Sequence, residues 1–514
     1  VDAVRVAARR FNRAQVARTV SVPAPVGGWN ARDSLAQMDK RDAVVLDNMF
    51  PTANDVRVRL GYVLQSSGGG MTGSVNSLMS YNPPSGSPTL FAAAGTAIYN
   101  VNGTTAVSSL TGLTSDRWQH CMMGTSGGNF LVIANGADAV RHFNGTVWAT
   151  PAITGATPAN LIHCNVFKER LWFVEKNTLK VWYLPVNSVA GAASAIDFSG
   201  LFNRGGYLMA MTTWSLDVGF GMDDYAVFVT SEGEVAVYQG TDPSASTSWA
   251  LVGVYQLGKP LGRRCFVKYG GDVMYLGADG LTPLSKALTT VGETTNVRVT
   301  AKIQTAVSDY TSAYGSIDGW QTILYPSDNI LLINVPTGTG PNAVQLAMNT
   351  ITGSWARFTG WDAACWERHN DNLYFGGNGV VNQAWVGNKD GTADIQFSGL
   401  QAFSSHGGVQ LKQIKMARPI ITTDGAPAIL LGVNADYDQS APTGLLSYSG
   451  TAAGIWGTGT WGTATWGGSL EIKRDWQTAF AMGYSFAAYL KGTTRNENVR
   501  WISTDYLLED AGVL

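Results

Sequence analysis

A short apolar run recurs seven times between residues 90 and 376, and each time a tight turn and a second extended stretch follow it. Four units carry a cysteine a few residues ahead of the run: Cys121 before Phe130-Leu-Val-Ile133, Cys164 before Leu171-Trp-Phe-Val174, Cys265 before Val273-Met-Tyr-Leu276 and Cys365 before Leu373-Tyr-Phe-Gly376. Leu90-Phe-Ala-Ala93, Tyr225-Ala-Val-Phe-Val229 and Ile330-Leu-Leu-Ile333 have the same shape without it. The runs start at 90, 130, 171, 225, 273, 330 and 373, so successive units lie 40 to 57 residues apart. Several close on a turn and a tryptophan, as in Asn144-Gly145 to Trp148, Gly240 to Trp249 and Gly353 to Trp355, and Asn-Gly between apolar stretches is a strong hairpin signal. Units of this length, built from three or four short strands, bury their faces by stacking radially. Stretches of ten or more residues with helical periodicity are not found here. The expectation is a mainly β chain with a β-propeller of six or seven blades over residues 63–400, and a string of β-sandwiches as the alternative.

The repeat accounts for the cysteines as small apolar fillers at one blade position. His120-Cys121 and His163-Cys164 then read as that position used twice and not as metal ligands. Four scattered cysteines in 514 residues make no disulfide framework, which points to a reducing compartment. Charged residues are 14% of the chain, where about 25% is usual, while Gly (60), Trp (17) and Tyr (19) are plentiful. Such surface suits coverage by neighbours. Residues 1–20 carry five arginines against Asp2, a sum of +4, so a total of −2 leaves −6 on the remaining chain. That body offers no basic face for gripping nucleic acid. The longest apolar stretch, Ala479 to Leu490, is too short to span a bilayer, and the first residues lack the apolar core of a signal peptide.

The ends differ from the middle. Over 1–62, Arg5, Arg9 and Arg13 fall on one helical face, with Arg10 beside them, and Val4, Ala7, Phe11 and Ala14 on another. This segment reads as one that orders on an acidic partner or on DNA; a solvated tail and a transit peptide are the alternatives. Residues 21–30, with Trp29, read as a linker, and Asp39 as the cap of a short helix from Lys40 to about Asn48. Arg5, Arg9, Arg10, Arg13, Phe11 and Trp29 are the candidate docking residues. Over 401–514 longer strands suggest a separate β-sandwich or barrel-like domain. Within it Trp456, Trp461 and Trp466 recur every five residues, which is a loop period. Packing between subunits is the first reading for these rings; sugar or membrane contact are the others.

Strings that imitate catalytic motifs lack their context. Gly124-Thr-Ser126-Gly-Gly128 lies between two strands, where the nucleophile elbow needs a strand-to-helix turn. Gly457, Gly459 and Gly462 match a dinucleotide fingerprint inside the tryptophan loop, without a βαβ unit. Asn434, Asp436 and Asp438 lack the glycine and distal glutamate of a calcium loop and read as a turn. The acidic pairs Asp223-Asp224 and Glu232/Glu234 flank hairpins. No catalytic, metal or cofactor-binding residue is assigned, and an enzyme is not expected.

Two regions carry a resemblance. The first is Pro25-Val-Gly-Gly-Trp-Asn-Ala-Arg-Asp33 with Asp42 to Pro51 and Arg57-Val-Arg-Leu-Gly-Tyr62. The second is the run of Trp-Gly-Thr turns with Lys473-Arg-Asp-Trp476 and Val499-Arg-Trp-Ile-Ser-Thr-Asp505. With Tyr275-Leu-Gly-Ala-Asp-Gly-Leu-Thr-Pro-Leu284, the chain resembles the tail nozzle proteins of short-tailed bacteriophages, also called tail tubular or packaged-DNA stabilisation proteins. The resemblance implies a structural virion protein in the tail, assembled in the bacterial host cytoplasm as a hexameric tube that retains DNA and lets it pass at ejection. It implies contacts with the adaptor or portal ring, with tail fibres or spikes, and with double-stranded DNA in the channel without sequence-specific binding. A carbohydrate-binding propeller or tail-associated glycanase is the alternative function.

Overall fold

The computed structural model describes residues 17–217, 222–245, 247–289, 298–408, 410–443, 446–447 and 471–510. The expected runs become strands that are hydrogen-bonded on both sides. In every repeat the run is the second strand of its sheet: Thr89–Ala94, Gly128–Ala134, Arg170–Glu175, Met222–Thr230, Asp272–Gly277, Ile330–Pro336 and Asn372–Gly376. Such a strand has a neighbouring blade against each face, so it reads as continuous apolar sequence and not as an alternation. Trp148, Trp249 and Trp355 each open the fourth strand of a sheet.

The sheets form a six-blade β-propeller arrangement. Blades 1 to 4 occupy 75–111, 119–149, 161–197 and 208–256, blade 5 spans 321–358, and blade 6 spans 365–384; a three-stranded sheet over 266–283 stands between blades 4 and 5. Blade 6 takes its fourth strand from the start of the chain: Tyr62–Ser67 pairs antiparallel with Val380–Ala384. This closure fastens the ring across more than 300 residues of sequence and hides an edge. Among the described residues the three-stranded sheet has no fourth strand, and the chain goes on from it into two helices, Leu284–Thr289 and Gln304–Tyr314. The longest gap between repeats, 57 residues, lies here.

Those helices correct the expectation of an unbroken β middle. Ile303, Val307, Tyr310 and Tyr314 put one stripe of the longer helix against the core, a helical spacing masked by polar residues between them. The helix expected from Lys40 to about Asn48 is instead a strand, Asp42–Asp47. Asp39 does accept the Arg41 N–H, at 2.8 Å, but as a local turn before β-branched Val44 and Val45 continue extended.

The two ends of the chain are interleaved. Arg18–Pro23, expected as basic segment and linker, pairs along Val499–Asp510, and Val56–Val58 pairs with the other end of the same strand. Asp42–Asp47 pairs with Gln396–Gln401, which continues to Phe486–Thr493 and Ala428–Ala435. Hydrogen bonding therefore crosses the expected boundaries at 62 and 400. This second unit joins the outer strand of blade 5 through a parallel bridge, Asp47 to Arg357. The Arg357 guanidinium reinforces it with two 2.7 Å bonds to the Asp47 carboxylate. No helix among the described residues is long and apolar enough to cross a membrane.

Candidate functional site

The inner strands of the ring, among them Val75–Tyr81, Gln119–Thr125, Leu161–Phe167 and Cys365–His369, enclose a polar axial channel. Three successive cavities of about 400, 230 and 520 Å³ run along it and share lining residues, Arg263 and Arg264 between the first two and His120 and Glu367 between the last two. The repeat cysteines contribute to blade cores, Cys121 and Cys164 also border the cavities, and the residue before each cysteine lies on the axial side as well. Those residues are His120, His163, Arg264 and Ala364, and all four line the channel.

The cysteines themselves behave as blade fillers. Cys164, Cys265 and Cys365 are buried and Cys121 is half-buried. Burial raises the Cys265 thiol to about 12 and that of Cys365 to about 11.

Arg264 is a strut between blades. Its Nη2 donates to the Asn76 carbonyl (3.2 Å), Ser77 Oγ (2.9 Å) and the Trp118 carbonyl (3.1 Å), while Nη1 donates to Gln321 Oε1 (3.1 Å). Gln321 passes the connection to the Trp366 carbonyl at 2.7 Å. One guanidinium thus ties blade 1, the residue leading into blade 2 and blade 5, and reaches blade 6 through Gln321.

Deeper along the axis, His120 Nε2 stands 3.5 Å from Glu367 Oε2. Burial lowers His120 to about 4, with the Arg264 charge adding to the effect. Burial, Arg263 and His120 together lower His163 to about 3. Glu367 moves the other way, to about 8, because desolvation outweighs the pull of Arg264 and Arg368. All three side chains are therefore predominantly uncharged near pH 7. Among the described residues no three His, Cys, Asp or Glu side chains gather to hold a metal ion.

The candidate residues named from sequence fall elsewhere. Arg5, Arg9, Arg10, Arg13 and Phe11, and Trp456, Trp461 and Trp466, lie outside the described residues. Trp29 is a correction: only 8% exposed, it pairs through its strand with Ala43 and lies under the Arg357 guanidinium, 5.7 Å from the ring centre. Ser126 sits in the hairpin turn that pairs Thr125 with Gly128, as a glycine-rich loop should. Asp438 accepts the Ser440 N–H in a local turn, whereas Asp436 accepts the Tyr484 and Ser485 N–H groups of a segment distant in sequence.

No family model matches the chain, and no curated relative matches it in sequence. Solved structures with a similar fold include the computationally designed Ika8 protein (TM-score 0.36, 11% identity, 66% of this chain and 96% of that one). The WD40 β-propeller domain of Doa1 overlaps with a TM-score of 0.37 at 8% identity, over 63% of this chain and 96% of its own. BBS1N in complex with ARL6DN gives 0.39 at 10% identity, over 64% and 98%.

Proposed function

We propose that the chain is a structural virion protein, the tail nozzle of a short-tailed phage, whose copies form a tube that closes a DNA exit channel until ejection. The identity comes from the sequence resemblance, and one structural observation supports an assembling role. In the second unit, Glu471–Lys473 and Gln477–Gly483 lie successively along Lys412–Thr423, and no further strand pairs beyond them among the described residues. Ile472, Phe480, Met482 and Tyr484 on this edge are 50–77% exposed. An apolar edge strand is a template for another chain and a liability on an isolated one. A second copy of the chain is the occupant we assign to it, in keeping with a ring of subunits docked on an adaptor.

Immunogold electron microscopy of a lysate containing the protein tests the identity. Gold at the end of a short tail on icosahedral particles is expected; label spread only over soluble material would refute it. Light-scattering mass measurement tests the edge. Phe480→Ser combined with Met482→Ser should reduce a ring to smaller species, and an unchanged mass would remove this edge from the interface.

A further inference from the structure

The cavity at one mouth of the propeller channel runs against the charge of the chain. The molecule as a whole is −2, yet Arg117, Lys176, Arg263 and Arg264 line this cavity with Asp318 as its one carboxylate. Two of the four cations are accounted for: Arg117 pairs with Asp318, and Arg264 is held by the blades around it. The other two converge. Arg263 donates to the carbonyl of Asn135, and Lys176 to the carbonyl of the next residue, Gly136, both at 3.3 Å. A guanidinium and an ammonium thus lean on one turn with no carboxylate between them among the described residues. Asp138, on the same turn, instead accepts from the backbone of Thr114 and Ser115 and from the Asn135 amide.

Two like charges brought together in a concave, partly desolvated site repel each other unless an anion sits between them. Burial and the nearby Arg117 already weaken the hold of Arg263 on its proton. The remaining lining supplies hydrogen-bonding amides, Asn76, Gln119 and Asn177, suited to the flanks of a polar ligand. At about 400 Å³ the cavity has the size of a small-molecule site. A DNA duplex does not enter a space of that size.

We infer that the Arg263–Lys176 mouth of the propeller channel binds a small oxyanion, a free phosphate or a carboxylate-bearing molecule. The inference stands independently of the assembly reading.

Isothermal titration of the full chain at low ionic strength, with inorganic phosphate in one series and citrate in another, tests it. Saturable binding of about one anion per chain is expected in at least one series, and which series responds distinguishes phosphate from carboxylate. Arg263→Gln and Lys176→Gln should each weaken that binding about tenfold or more, with an unchanged circular dichroism spectrum. Lys176→Gln, at an exposed position on a turn, carries the test if Arg263→Gln fails to fold. Absence of saturable binding in both series, or binding that survives Lys176→Gln unchanged, would overturn the inference.

Discussion

Arg59 offers the sharpest test of how the propeller is held to the second unit. Its side chain is 0% exposed, and all five of its N–H groups are satisfied. Nε donates to Asn48 Oδ1 at 2.9 Å. Nη1 donates to the Leu60 carbonyl (3.0 Å) and Asp390 Oδ1 (2.8 Å), and Nη2 to the Thr359 carbonyl and Asp390 Oδ2 (both 2.6 Å). The Trp361 ring covers the guanidinium at 4.6 Å, and its indole N–H donates to the same carboxylate at 3.2 Å. Asp390→Asn keeps the shape but removes the charge and turns an NH2 toward guanidinium donors. A buried ion left without its partner costs about 3–5 kcal/mol, whereas replacing both partners by apolar groups is often close to neutral. Arg59→Met with Asp390→Leu leaves no unpaired charge and should therefore lose less than Asp390→Asn alone, although the Trp361 N–H loses its acceptor and the Leu60 and Thr359 carbonyls lose the Arg59 donor, neutral groups whose loss costs less than a buried charge. Urea unfolding followed by circular dichroism and tryptophan fluorescence measures both, provided the two transitions coincide. A cost below about 1 kcal/mol for Asp390→Asn, or a double variant as unstable as the single one, would refute the reasoning.

Two further predictions concern the channel and the blades. The channel's contribution to stability should be greatest near pH 6.5, the ordinary value for histidine. Toward about pH 4 unfolding takes up protons on His120 and His163 that the folded channel refuses, and toward about pH 8 it releases the proton that folded Glu367 retains. The alkaline decline, about 1.4 kcal/mol per pH unit at most, should vanish in Glu367→Gln when urea midpoints are compared from pH 5 to 9; its persistence would exclude Glu367 as the source. In the folded protein the thiol reagent DTNB should titrate Cys121 alone at pH 8, with the other three thiols reacting only in urea, because each is buried in a blade. Rapid reaction of Cys265 or Cys365 would show the blades opening.

The fold was legible where one strand is buried on both faces. Leu90 to Ala93 or Ile330 to Ile333 can be read without knowing their partners, since burial on two sides leaves an apolar run with little alternation. Partners distant in sequence left no such mark. Tyr62–Ser67 closes blade 6 with Val63 and Leu64 exposed on an outer strand, so its pattern does not announce what it pairs with. Arg18–Pro23 reads as the end of a basic segment running into a linker, because Pro23 and its short length hide a strand whose order comes from Val499–Asp510. The Gln304–Tyr314 helix escaped because its buried stripe is narrow and partly made of half-exposed tyrosines.

The channel was half legible, and the half that was missed follows from the half that was read. A cysteine at a fixed place in the repeat marks that place in every unit, and the residue before it is then a second recurring place, the one that lines the channel. That rule, applied at Cys121, Cys164 and Cys265, selects His120, His163 and Arg264 without any structure. It also explains why the histidines resemble metal ligands without being gathered as such: they repeat because the blade repeats. The basic mouth could not be found this way. Arg263 and Lys176 belong to different sheets and meet only at the Asn135-Gly136 turn of a third, while the net charge of the chain is slightly negative. A sum over residues carries no information about which charges a closed ring points inward. The positive charge at the axis is a product of ring closure, and Tyr62–Ser67, the strand that makes the closure, belongs to the same fold that places both cations at one turn.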